Sequence, residues 1–344
     1  TSRIRVNEMS GVTFIGNIIV DYIKMIDNFP AIGNLSNITA ISRNIGGLAV
    51  NTPVGLKIMA PEFDILSMGM VGNDDNGRYV TKSLAAYGVD VSGISVHKSL
   101  PTSFTDVMTI SSTRARTFFQ AQGAGAAYGF DDINFESIRT DIAHVGYALL
   151  MDKFDRPDPD YGTQMAKIMA KLRSMGIQTS FDVVSENSER FTRIVTPSLR
   201  QADYVFMNEV ESAGTVGIPT RGKDEKLLIH NIQKICARLM ELGVHKMAAI
   251  HAPEGGWAMT ADGDFYHEPA LDLPQGFIKG TVGAGDAFCA GMLYSILKGK
   301  GPAFGLSIAG AAAACSLSAE NSVDGMRPIA QVLELRNKLM HHIS

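Results

Sequence analysis

Cysteine is scarce. The 344 residues hold three, Cys236, Cys289 and Cys315, and none stands close to another in sequence. An odd, scattered set excludes a disulfide framework and a cysteine-based zinc site. All three fall in segments of helical pattern, which reads as buried thiols in a reducing compartment. Charge of one sign is lacking as well. Lys and Arg number 31 against 35 Asp and Glu, a net charge of −4, and no block of like charges occurs. No long-range field therefore draws nucleic acid, and the basic stretch from Arg114 to Arg116 reads as a solvated face or a substrate clamp. The 8 histidines show no metal-ligand spacing such as H-E-x-x-H. Long apolar runs are missing too. The longest, 305–319, is too short for a bilayer and rich in small residues, so it reads as a tightly packed core helix. The apolar stretch 12–20 contains Asn17 and stops at Asp21, unlike a secretory leader. A cytoplasmic location with no membrane partner is expected.

What is present is ordinary for a globular chain: 45% hydrophobic and 19% charged residues. Short apolar runs alternate with longer amphipathic ones. Strands are expected over 12–20, 65–71, 142–150, 177–184, 204–207 and 246–251. Helices are expected over 47–60, 76–87, 161–175, 224–242, 284–297, 302–317 and 328–342, the last fraying at His341-His342. Several strands are continuous apolar runs, as in a parallel sheet covered on both faces. The alternation predicts an α/β fold, a doubly wound, mostly parallel sheet with helices on both faces. Two segments break the pattern, about 21–43 and 102–122. Alternation within the second reads as antiparallel strands over 103–110 and 114–121 with a turn at Ser111-Ser112-Thr113. These insertions are expected to build a small β-sheet lid on one domain spanning 1–344. Such a lid keeps water from a reacting centre, although an ordinary sheet edge would leave the same pattern.

One motif speaks to chemistry. The run Gly280-Thr281-Val282-Gly283-Ala284-Gly285-Asp286-Ala287-Phe288 opens a helical pattern near the C-terminal end. Glycines allow positive φ and close backbone approach. A turn of this kind can aim successive N–H groups at one point, and the helix behind it adds its partial positive charge. It suits a phosphate, with Asp286 placed where a hydroxyl could meet it. Other phosphate signatures are missing: no G-x-x-x-x-G-K-[ST], no G-x-G-x-x-G after a strand, and no H-R-D with D-F-G.

The same run resembles the C-terminal signature of the ribokinase-like (PfkB) carbohydrate kinases. Other stretches resemble the family's motifs in the same order. Gly16-Asn17-Ile18-Ile19-Val20-Asp21 is similar to its opening strand and substrate-contacting aspartate. Gly46-Gly47-Leu48-Ala49-Val50-Asn51 is similar to its di-glycine signature, which ends in a substrate-binding asparagine. Gly69-Met70-Val71-Gly72-Asn73-Asp74-Asp75-Asn76-Gly77 is similar to G-x-V-G-x-D-x-x-G, and Asn208-Glu209-Val210-Glu211 to N-x-x-E. The resemblance covers nearly the whole chain. It implies ATP-dependent phosphorylation of a sugar-like alcohol, with Mg²⁺.

The implied roles can be set beside plainer ones. Asp286 is the expected catalytic base, with Gly283, Ala284 and Gly285 presenting N–H groups to the transferred phosphoryl; a helix-capping aspartate is the plain reading. Asp21 and Asn51 are expected on sugar hydroxyls, with Gly46 and Gly47 letting the sugar approach the backbone; a turn residue and a satisfied helix amide are the alternatives. Arg116 is a candidate for substrate contact or for an edge-strand arginine. Asn208 and Glu211 are expected to organise Mg²⁺ and phosphate, Glu211 through water, or else to cap a helix and face solvent. Thr281, Gly256 and Asn321 are nucleotide candidates beside the loop 251–256 and the small-residue segment 309–316. The family usually has Asp where this chain has Gly280, an aspartate that helps shape a monovalent-cation (K⁺) loop. Arg116-Thr117-Phe118-Phe119 resembles fructokinase-like members and suggests a primary hydroxyl of a small sugar or sugar acid. A nucleoside kinase walled by Phe29, Phe104 and Phe119, and a catalytically weak sugar-binding protein, stay open. The lid leaves a homodimer open.

Overall fold

Asn17 ends the first apolar run earlier than its hydropathy suggests. Its side-chain Oδ1 accepts the Leu48 N–H at 3.0 Å and its carbonyl accepts the Ala49 N–H at 3.2 Å. Groups that would extend the strand are thereby committed to the start of a helix. In the computed structural model, which describes residues 10–186 and 189–340, the run divides into β1 (Gly11–Gly16) and β2 (Ile19–Ile26), which lie in different sheets.

The chain continues through β3 (Ile38–Gly46), α1 (Leu48–Met59), β4 (Asp64–Gly72), α2 (Asp75–Ala86), β5 (Asp90–His97), β6 (Phe104–Ile110), β7 (Arg116–Ala121) and β8 (Ile142–Ala148). Then come α3 (Asp152–Asp155), β9 (Pro157–Asp158), β10 (Gly162–Thr163), α4 (Gln164–Ser174), β11 (Gln178–Val183), α5 (Phe191–Leu199), β12 (Tyr204–Asn208), α6 (Glu209–Val216) and α7 (Ile229–Glu241). The last part holds β13 (Met247–Ala252), β14 (Gly255–Thr260), β15 (Phe265–Pro269), α8 (Ala284–Leu297), α9 (Pro302–Leu317) and α10 (Ile329–Met340).

The larger sheet has nine strands in the order β15-β14-β13-β12-β11-β8-β1-β4-β5. All neighbours from β13 to β5 are parallel, and β14 and β15 add antiparallel partners at one edge. Alternate residues of each strand enter two cores. Phe14, Ile142, Phe206 and Ala249 pack with α1, α8 and α9, whereas Ile15, Val145, Val205 and Ile250 pack with α4, α5 and α7. Both faces are covered, which is why these strands read as unbroken apolar runs. Because β1 lies between β4 and β8, connections run outward from it in both directions. The carboxyl ends of the strands at such a switch point form a crevice.

Both irregular segments supply the second sheet, order β3-β2-β6-β7, with β2 and β6 parallel and the outer pairs antiparallel. The turn between β6 and β7 is wider than expected. Ile110 donates to the Ala115 carbonyl at 2.9 Å and Arg114 takes φ 60°. Three strands on the flanks of the large sheet, β5, β14 and β15, lie where no strand is expected. β5 is only half-buried and β14 opens on two glycines, so neither carries an apolar run. α5 escapes notice because Pro197 sits inside it. The helix expected over 224–242 starts only at Ile229, because Gly222 donates to Lys226 O and Leu228 to Thr220 O, tying that stretch into a tight loop. His341 and His342 lie outside the described residues. The three cysteines are buried, and among the described residues no helix is long and apolar enough to cross a membrane.

Candidate active site

The phosphate-like turn sits where α8 begins. Gly283 is its N-cap at φ 82°, a left-handed conformation, and a Cβ there would stand 2.5 Å from the Ser322 Cβ. Only glycine fits. The first intrahelical bond is donated by Ala287 to the Gly283 carbonyl at 2.8 Å, so the N–H groups of Ala284, Gly285 and Asp286 belong to the helix start that no carbonyl of the helix can satisfy. They meet a cleft of about 1280 Å³ at the carboxyl ends of the strands, lined also by Thr281, Gly283, Gly47, Asn51 and Asp21.

Asp286 projects from that first turn and is 8% exposed. Its Oδ2 accepts from Asn51 Nδ2 at 3.0 Å, and its Oδ1 accepts from Thr52 Oγ1 at 3.1 Å and from the Tyr147 hydroxyl. Asn51 is itself fixed, since its Oδ1 accepts from Ser322 Oγ at 2.8 Å. Burial raises the Asp286 carboxyl above its ordinary range, while the bonds from Tyr147, Asn51 and Thr52 pull it back down. Asn51, expected on a sugar, thus also orients the carboxylate.

Asp21 enters the cleft from β2, opposite Asn44 of β3 and Thr105 of β6. Burial pushes its carboxyl up to about 6, offset by a Thr105 hydrogen bond and reinforced by the charge of Asp286. Gly46 does not line the cleft, but a Cβ at that position would lie 2.3 Å from Asp21 Oδ2. It makes room for Asp21 and not for the sugar directly. Asn17 lines the same pocket, with a buried Nδ2 that has no hydrogen-bond partner.

Asn208 and Glu211 start α6 as a reciprocal cap. Asn208 Oδ1 accepts from the Val210 and Glu211 N–H groups, both at 2.9 Å, and Glu211 Oε2 accepts from the Asn208 N–H at 2.8 Å. Glu211 Oε1 accepts from Ser185 Oγ and Asn208 Nδ2, each at 2.7 Å. The capping role and the cleft position coexist, since both residues line the pocket. Asp182, at the end of β11, faces them. Burial and the charges of Glu211 and Asp286 drive it well upward, and burial raises Glu211 too. Hard carboxylate oxygens crowded together without a cation suit Mg²⁺. Both oxygens of Glu211 already accept hydrogen bonds.

Toward the other end, His251, Gly256, Gly310, Ala313 and Ala314 line the cleft, so the loop 251–256 and the small-residue helix flank one surface. Three expectations need correction. Asn321 does not line the cleft; it donates to Asn44 Oδ1 and Asp324 Oδ2 and accepts from the Asp324 N–H at 2.8 Å, closing a turn. Arg116 begins β7 too far out, and Phe118 and Gln120, on the same side of that strand, reach the cleft instead. Phe29 and Phe119 stack on each other at 6.4 Å on the opposite, exposed side, and Phe104 packs edge-on to Tyr22, so none of the three walls the pocket. At Gly280 a Cβ would meet the Glu320 and Ala319 carbonyl oxygens at 2.7 and 2.8 Å. The side-chain oxygen expected for a monovalent-cation loop has no room there. Tyr147, Thr52, Asp182 and Asn17 are participants that motif reading does not single out.

The family profile for pfkB family carbohydrate kinases matches residues 9–328, and the chain belongs to that family; it is an ATP-dependent sugar kinase. It is similar to a nucleoside kinase of Methanocaldococcus jannaschii, 23% identical over 295 residues that cover 85% of each chain. It is likewise similar to a 5-dehydro-2-deoxygluconokinase of Clostridium beijerinckii, 24% identical over 93% of this chain and 90% of that one. The structure of Arabidopsis thaliana ribokinase complexed with ribose and ATP superposes with a TM-score of 0.77 at 21% identity, over 95% of this chain and 99% of the other. The fold is therefore the ribokinase fold.

Proposed function

We propose that the cleft transfers the γ-phosphoryl group of ATP to a primary hydroxyl of a small sugar, in line, with Asp286 as base. The acceptor oxygen bonds to phosphorus as its proton passes to Asp286, and ADP departs. The observation that carries this reading is a buried carboxylate, oriented by three donors, one residue beyond the unsatisfied N–H groups of a helix start. Those amides of Ala284 and Gly285 hold the charge that develops on the transferred group. Asp21, Asn17 and the second Asn51 N–H bind acceptor hydroxyls. Asp182 and, through water, Glu211 would hold Mg²⁺, which would neutralise phosphate charge. The nucleotide lies between the loop 251–256 and the small residues of α9. The small sheet covers the acceptor with Phe118 and Gln120.

Ile19 and Phe118 give the acceptor half an apolar wall that also suits the base of a nucleoside, so a nucleoside acceptor is the second reading. The exposed face of the small sheet at Ile41 and Phe119, with Ile32 and Leu35 in the adjoining β2–β3 connection, all at 50% exposure or more, supports a homodimer through that sheet.

The test is Asp286→Asn with a panel of sugars and nucleosides. ADP release should fall roughly 10²–10⁴-fold while ATP binding and folding are retained. Near-normal turnover would remove Asp286 from the chemistry.

A further inference from the structure

The cleft carries no basic side chain. Among the described residues that line it there is neither Lys nor Arg, and its one histidine, His251, is half-buried and pushed down to about 4 by loss of solvent, hence neutral. Seven carboxylates line it: Asp21, Asp182, Glu186, Glu209, Glu211, Glu268 and Asp286. Glu186, Glu209 and Glu268 are ion-paired, with Arg190, Arg221 and Arg336. Asp21, Asp182, Glu211 and Asp286 have no cationic partner among the described residues. Asp21 and Asp286 flank the acceptor half, and the charge of Asp286 raises the affinity of Asp21 for a proton. The other polar groups there, from Asn17, Asn51, Thr105, Gln120 and Tyr147, are neutral.

From this charge pattern, and resting on the cleft being the phosphoryl-transfer site, we infer that the acceptor is an uncharged polyhydroxy compound, a free sugar or nucleoside. Sugar acids and sugar phosphates are rejected by charge and not by size. An anionic group in the acceptor half would face Asp21 and Asp286 with no guanidinium or ammonium to pair it. A like charge about 5 Å away in a partly buried site, at an effective dielectric near 20, weakens binding by roughly 100-fold or more. ATP escapes this exclusion because its phosphates meet the α8 amides and arrive with a divalent cation that the carboxylates attract. The volume of about 1280 Å³ leaves space for a carboxylate or phosphate on a sugar, so sterics do not impose the choice.

Matched acceptors that keep the same free primary hydroxyl test this: ribose against ribonate and ribose 1-phosphate, glucose against gluconate, and uridine against orotidine. ADP release and calorimetric binding would be measured on the full chain with MgATP and a non-hydrolysable analogue. The neutral member that serves as substrate should exceed its charged counterpart by about 100-fold or more in kcat/KM and in affinity. Gln120→Arg, which places a guanidinium in the acceptor half, should narrow that gap at least tenfold by improving the charged member. An anionic acceptor within tenfold of its neutral partner, or a gap unchanged in Gln120→Arg, overturns the inference. Neutral acceptors that bind without ADP release, while anionic ones do not bind, uphold the charge selection and refute the kinase reading of the site.

Discussion

Tyr147→Phe deletes a single hydroxyl and isolates what it does for Asp286. Both oxygens of that carboxylate are held, Oδ1 by Tyr147 and by Thr52 at 3.1 Å, Oδ2 by Asn51 at 3.0 Å. Burial already lifts the carboxyl above its ordinary range, and these donors oppose the lift. A hydrogen bond to a charged group contributes about 1.5–3 kcal/mol. At about 1.4 kcal/mol per unit, losing one raises the carboxyl by about 1 to 2 units. The base must be ionised to accept the acceptor's proton, so the sign is fixed: the acid limb of kcat/KM moves to higher pH by that amount. Below the limb the variant is roughly 10–100-fold slower, and on the alkaline plateau it approaches the parent enzyme. The assay is ADP release from about pH 5 to about pH 9 at subsaturating acceptor, with a thermal melt as the control for folding. A uniform loss at every pH with an unmoved limb would mean that Tyr147 only packs. A limb shifted toward acid would refute the hydrogen-bond argument itself.

Gly285 differs from Gly283 in that a Cβ there would meet only His251, at an ordinary 3.5 Å. Gly285→Val should therefore lower kcat by about 10²-fold or more with little change in melting temperature, and a thermal defect with normal kcat would contradict this. Asp21→Asn should reveal a cost of ionisation. The Asp21 carboxyl stands at about 6, above its ordinary 3.8, so its contribution to stability is full below its unfolded value and is lost as pH rises through about 6. The variant should gain up to about 3 kcal/mol over the parent at alkaline pH and nothing near pH 4. Urea midpoints measured at both ends check the slope, and an advantage independent of pH would count against it.

Where a residue's own neighbours dictate its structure, the sequence was readable. α8 and α9 begin and end at the expected residues because Gly283 and Pro302 punctuate them, and the apolar runs placed the central parallel strands. The flanks of the sheet were not readable: β5 and β15 bury too little to show a pattern, and β14, though buried, opens on two glycines. Within the site, Asp286, Asp21, Asn51, Asn208 and Glu211 came from motifs. Tyr147 and Asp182 did not, because each is the next-to-last residue of a strand, and nothing local distinguishes it from an ordinary strand end. Their importance arises from sheet order, which places the ends of β8 and β11 beside a helix from the far end of the chain. The Asn51–Asp286 bond joins residues 235 apart, a distance over which spacing carries no information. Arg116 failed for a different reason. Its parity along β7 matches that of Phe118 and Gln120, and only the reach of the strand decides which of them meets the cleft.

The interruption at Asn17 has a consequence for how the pocket is owned. It sends Asp21 away on the small sheet while Asn51, Tyr147 and Asp286 stay anchored to the large one. Neither body holds the whole of the proposed acceptor site. A molecule gripped from both sides becomes the mortar between them, so selectivity belongs to the seam and is inherited by whatever aligns its two halves.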